Sequence, residues 1–132
     1  MDEQKINEKK RFSIVARIKS TTHAWRGLMI FLKTTHNLWV HIFFTLLVVY
    51  LGFLLHISSI EWVLIIFAIG LVIISEAFNT TIEIDIDLTS PNYHPYARDT
   101  KDVAAAAVAI AVIVAGIIGM IIFLPKIMVL LK

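Results

Sequence analysis

Four polar residues of this 132-residue chain, Glu76, Asn79, Glu83 and Asp87, are spaced by three, four and four. At about 100° per helical residue they fall on one stripe within roughly 80° of arc, while Asp85 points to the opposite side. Two carboxylates one to two turns apart suit two tasks, holding a hard cation such as Mg²⁺ and removing a proton from a hydroxyl. The amide of Asn79 can orient either. Glu76 follows directly on the apolar run Ile60 to Ser75 and lies about 22 Å along a helix from Glu61, so it is still at membrane depth. An ionised carboxylate there costs about 2.5 to 3.5 kcal/mol on insertion scales, which points to use. Asp85 and Asp87 taken alone read equally well as a salt-bridged network or a solvated helix end.

Downstream, Lys101 and Asp102 open a further apolar segment. Backbone N–H groups at a helix start, with a lysine, attract phosphate. The run Ala104, Ala105, Ala106, Ala107, Ala109, Ala111, Ala115, Gly116 and Gly119 then supplies the small residues that let helices approach closely in lipid. Asn79-Thr80-Thr81 matches a glycosylation sequon, which carries no information inside a membrane-facing helix.

The elements that must position these groups follow from composition. Hydrophobic residues make up 58% of the chain and charged residues 17%, with a mean hydropathy of +0.82, which excludes an ordinary water-soluble domain. Cysteine is absent, so disulfides, thiolate metal sites and cysteine nucleophiles are excluded. Residues 1–11 read as a solvated cytoplasmic tail without the layout of a signal peptide. Over 12–34, Ile14, Ile18, Trp25, Met29 and Leu32 recur at helical spacing among Arg17, Lys19, Arg26 and Lys33, which predicts an amphipathic surface helix. Membrane helices are expected at 38–55, 60–84 and 102–124, with the polar stretch Asp85 to Asp102, broken by Pro91 and Pro95, joining the last two. Eight of the twelve Lys and Arg residues precede Leu38, and Arg98 and Lys101 lie in the polar stretch, so both regions are expected on the cytoplasmic side and the carboxyl terminus outside. The expected fold is thus an all-α integral membrane domain over 1–132.

The stretch from Glu76 to Asp87, followed by Ser90-Pro91-Asn92-Tyr93-His94 and by Lys101-Asp102-Val103-Ala104-Ala105-Ala106-Ala107-Val108, resembles the prokaryotic diacylglycerol kinase family, which includes undecaprenol kinases. The likeness runs from Trp25-Arg26-Gly27 to the end of the third membrane helix. It implies a homotrimeric kinase of the bacterial inner membrane, with a surface helix and three transmembrane helices per subunit and its active site on the cytoplasmic side. Such an enzyme transfers the γ-phosphate of ATP to the hydroxyl of diacylglycerol or undecaprenol with Mg²⁺; no nucleic-acid partner is expected. By motif position, Glu76 is implied as the general base and Glu83 as a Mg²⁺ ligand. Asn79 and Asp87 are implied to line the site, and Asp87, Asn92, Tyr93, His94, Lys101 and Asp102 to contact the nucleotide. His23 occupies a further nucleotide-facing position that is often aromatic in the family. No glycine loop of the kind that cradles phosphate is present.

The family commonly carries a second metal-binding glutamate in a pattern of Glu, any residue, Asn, three residues and His. Here the segment is Thr35-His36-Asn37-Leu38-Trp39-Val40-His41, so Asn37 and His41 match while Thr35 replaces the glutamate and Trp39 a frequent arginine. Thr35 offers Mg²⁺ a hydroxyl or a water but no charge. For His36 and His41, interfacial packing or a capping hydrogen bond is the expected role. Two other readings stand beside the lipid kinase: a weakened relative that still binds nucleotide or lipid, and a small oligomeric ion or proton pathway.

Overall fold

The computed structural model describes residues 14–35 and 37–131, with side chains from Ser20 onward. The expected tail 1–11, the first two residues of the expected surface helix and His36 lie outside the described residues. The chain forms four helices, α1 (Ile14–Thr34), α2 (Leu38–Leu54), α3 (Ser59–Thr89) and α4 (Pro95–Leu130). Two compact units divide it, residues 1–33 and 34–132.

Helix α1 ends with Lys33 in its last turn, where a cation complements the partial negative charge of the helix end. In the second unit, α2 begins after Asn37, whose carbonyl accepts the N–H groups of Val40 and His41. It runs for 17 residues without a charge. The chain then reverses through His56, which takes a left-handed φ of 47°, and Ser58 starts α3 with a reciprocal cap. The Ser58 hydroxyl accepts from the Glu61 N–H at 3.3 Å, and the Glu61 carboxylate accepts from the Ser58 N–H at 2.6 Å. Gly52 sits under Trp62, and a Cβ there would lie 2.7 Å from the indole ring, so only glycine permits this approach of α2 to α3. Ile57, Ile65, Ile122 and Phe123 form the buried core at this end.

Helix α3 extends to Thr89, five residues beyond the expected 84. The hydroxyls of Thr81 and Thr89 bond back to the carbonyls of Ala77 and Asp85, so the polar sequence remains compatible with helix. It stops only at Ser90, which precedes Pro91 and is barred from helical backbone by the proline ring. Pro95, expected to break helix, instead occupies the first position of α4, where its missing N–H would have had no partner. The loop therefore shrinks to 90–94, and α4 starts seven residues earlier than expected. It also continues past 124 through Pro125 to Leu130.

Helices α3 and α4 pack antiparallel, and ion pairs fix their register at both ends. Glu61 meets Lys126 at 3.2 Å, and Asp87 meets Lys101 at 2.5 Å. The spacing between the two pairs is 26 residues on α3 and 25 on α4, about 38 Å of helix. Both helices are long and apolar enough to cross a membrane. With α2, which reaches that length only together with the helix before it, two or three segments of the chain qualify as spans.

Candidate functional site

The register gives a ruler across the bilayer. Starting from the Glu61–Lys126 pair, Glu76 lies about 22 Å along α3, Asn79 about 27 Å, Glu83 about 33 Å and Asp87 about 39 Å. Set against a hydrocarbon core of about 30 Å taken to begin at the Glu61–Lys126 pair, Glu76 falls within it, Glu83 at its edge and Asp87 beyond. Burial agrees with that ladder: Glu76 is 3% exposed, Glu83 is half-buried and Asp87 is open. Ala104 and Ala111 are buried on α4, where their small side chains let it approach the polar face of α3.

The stripe is organised in pairs. His41, at the start of α2, places Nε2 3.7 Å from Oε2 of Glu76, and the imidazole is itself only 13% exposed. One turn further along α3, the Asn79 amide donates to Oε1 of Glu83 at 3.0 Å. The Oδ1 atom of Asn79 is buried and has no hydrogen-bond partner among the described residues. Thr35 and Thr80 join hydroxyls at 2.9 Å, and both side chains are buried. Asp87 receives Lys101, as above. Asp85 is exposed on the far side of the helix.

The remaining expected residues are more open. Asn92, Tyr93 and His94 are exposed in the 90–94 loop, with the His94 ring 5.6 Å from that of Tyr96. Asp102 turns to Arg98 at 3.6 Å rather than to the stripe, and both are largely exposed. His23 is exposed on α1, in the other unit. Among the described residues no three His, Asp or Glu side chains converge on one point. Glu83 and Asn79 therefore meet, whereas Thr35 meets Thr80, a different member of the same face.

Two partners went unread in the sequence. Thr80 follows Glu76 by four residues, so the helical spacing places it on the stripe, but a hydroxyl carries no charge to draw notice. His41 matches the family pattern and is a polar residue inside an apolar run, but its expected role is interfacial packing or a capping hydrogen bond. Below that imidazole opens an apolar cavity of about 320 Å³ between α2, α3 and α4, lined by His41, Thr45, Ile65, Val72, Ala115 and Gly116 among others.

The prokaryotic diacylglycerol kinase family model matches residues 22–123, most of the chain and all of this site. The chain belongs to the prokaryotic diacylglycerol kinase family. It is accordingly a lipid kinase held in a membrane. An undecaprenol kinase of Bacillus subtilis (strain 168) is 40% identical over 120 residues, which cover 91% of this chain and 94% of that protein. A diacylglycerol kinase of Synechocystis sp. is 36% identical over 83% of this chain and 63% of its own length. That of Escherichia coli (strain K12) is 34% identical over 76% of this chain and 82% of its own. No solved structure matches significantly.

Proposed function

We propose that this family member transfers the γ-phosphoryl group of ATP to the hydroxyl of a membrane lipid, with Glu76 as general base. The observation that carries the reading is a carboxylate 3% exposed at membrane depth, on the same helical face as a second carboxylate at the membrane edge. The lipid hydroxyl oxygen bonds to the γ-phosphorus as the bond to the bridging oxygen of ADP breaks, and the hydroxyl proton passes to Glu76. Phosphoryl transfer asks mainly for position and charge neutralisation. The height of Glu76 suits a hydroxyl that cannot leave the bilayer.

Mg²⁺ fits beside Glu83. The Glu83 carboxylate and the orphaned Oδ1 of Asn79 offer oxygen donors one turn apart, and Mg²⁺ favours one or two carboxylates completed by water and substrate phosphates. When bound, it supplies neutralisation of charge on the transferring phosphate. Thr35 adds a neutral hydroxyl at the margin of this site. Lys101 stands nearest the phosphates, steered by Asp87. Asn92, Tyr93, His94 and Asp102, exposed where α4 begins, contact the rest of the nucleotide. We place this face on the cytoplasmic side of the bacterial inner membrane and read the assembly as a homotrimer. Undecaprenol is the favoured acceptor, because the relative matched over nearly the whole chain is named for it.

Purified protein in detergent micelles, given labelled ATP and excess Mg²⁺, is expected to phosphorylate undecaprenol more readily than diacylglycerol. Glu76→Gln should lower the rate by about 100-fold or more. Full activity of Glu76→Gln would remove the base, and Glu76-dependent ion flux in proteoliposomes that ignores ATP would favour a transport protein instead.

A further inference from the structure

We infer that His41 is the positioning residue of the Glu76 base, an inference that rests on the proposed role of Glu76. Three observations converge on this imidazole. Its Nε2 is buried and has no hydrogen-bond partner among the described residues. The same atom stands 3.7 Å from Oε2 of Glu76. Its ring also forms the head of the apolar cavity between α2, α3 and α4.

The neighbouring polar groups are already engaged elsewhere. Asn79 serves Glu83, Thr80 serves Thr35, and Lys101 serves Asp87. Among the described residues the titratable groups on this face are His41 on α2, Glu76, Glu83 and Asp87 on α3 and Lys101 on α4, while α4 presents Val112, Ala115 and Gly116 to the cavity. Two buried polar side chains on adjacent helices thus have each other. The gap is about 0.7 Å longer than a normal N–H···O contact, and such contacts in substrate-free sites close when the reacting complex forms. A proton on Nε2 directed at Oε2 holds the carboxylate by one oxygen and leaves Oε1 for the lipid hydroxyl. Because the ring also caps the cavity, the hydrocarbon next to that hydroxyl meets the same residue that sets the base.

The test separates a directed hydrogen bond from packing. Glutamine places its amide nitrogen close to where histidine places Nε2, whereas asparagine reaches only as far as Nδ1. His41→Leu is expected to lower kcat about 10- to 100-fold and leave the KM for ATP unchanged. His41→Gln should restore most of that loss and His41→Asn should not. Full activity of His41→Leu, or equal loss in the glutamine and asparagine variants, overturns the inference. Should His41→Leu fail to fold, the comparison of glutamine with asparagine decides alone. Glu76→Gln run in parallel tells the two failures apart: if it is inactive while His41→Leu is active, only the role of His41 falls, and if it is active, the base itself falls.

Discussion

Asn79 does two things with one amide, because its nitrogen holds Glu83 while its oxygen is buried and unpaired among the described residues. Leaving an acceptor unsatisfied costs about 1 to 3 kcal/mol, an expense relieved once a cation or a water bound to it arrives. Asn79→Ala removes both the oxygen and the grip on Glu83. We expect the Mg²⁺ concentration for half-maximal activity to rise about 10- to 100-fold, as it does when the partners of a metal ligand are removed. Maximal rate at saturating Mg²⁺ should fall far less than in Glu76→Gln. A titration of activity against Mg²⁺ checks this, and an unchanged midpoint would detach Asn79 from the metal. Thr35 differs in kind: its hydroxyl is already hydrogen-bonded to that of Thr80, so it brings the site a neutral oxygen that is held in place by a neighbour.

At the scale of helices, Gly52 is where sequence and packing meet most tightly. The Trp62 ring lies 4.9 Å from that of Phe53 and is packed against the core of Ile57 and Ile65, so it has little room to yield to a methyl group. Gly52→Ala should destabilise the protein by about 1 to 3 kcal/mol, read as a lower unfolding temperature in detergent. The loss should shrink when Trp62 is also replaced by leucine. The helices themselves were legible because long apolar runs and a stripe of polar residues at helical spacing leave few alternatives. Their ends were not. In the sequence Pro95 reads as a break, but proline at the first position of a helix costs nothing; only the geometry of its neighbours distinguishes the two. The polar end of α3 reads as loop in the sequence, although threonine hydroxyls folded back onto the helix keep it regular. The stripe from Glu76 to Asp87 was legible for the same reason as the helix that carries it. The partner of Glu76 was not, since pairing across helices depends on the α2–α3 turn, where a left-handed His56 and the Ser58–Glu61 cap set the rotation.

For the whole molecule, the open question of architecture is whether α2 crosses the bilayer. Its 17 residues extend about 25 Å, short of a 30 Å core, yet it contains no charge, and its partners in the site sit deep on α3. His41 lies in the first turn of α2 and must reach Glu76, which by the register from Glu61 is about 22 Å from the opposite end of the span. The start of α2 is therefore near the same membrane face as Asp87, and its end, joined to Ser58, is near the other. That arrangement predicts a crossing, with local thinning or the flanking residues making up the short length. Because the chain has no cysteine, single cysteines report its topology without interference. Ser20→Cys on α1, Leu88→Cys near the end of α3 and Leu131→Cys after α4 are all at exposed positions. In sealed spheroplasts an impermeant thiol reagent should label Leu131→Cys and spare the other two until the membrane is opened. Labelling of Ser20→Cys together with Leu131→Cys would mean that α2 does not cross, and would break the contact between His41 and Glu76 on which the geometry of the base depends.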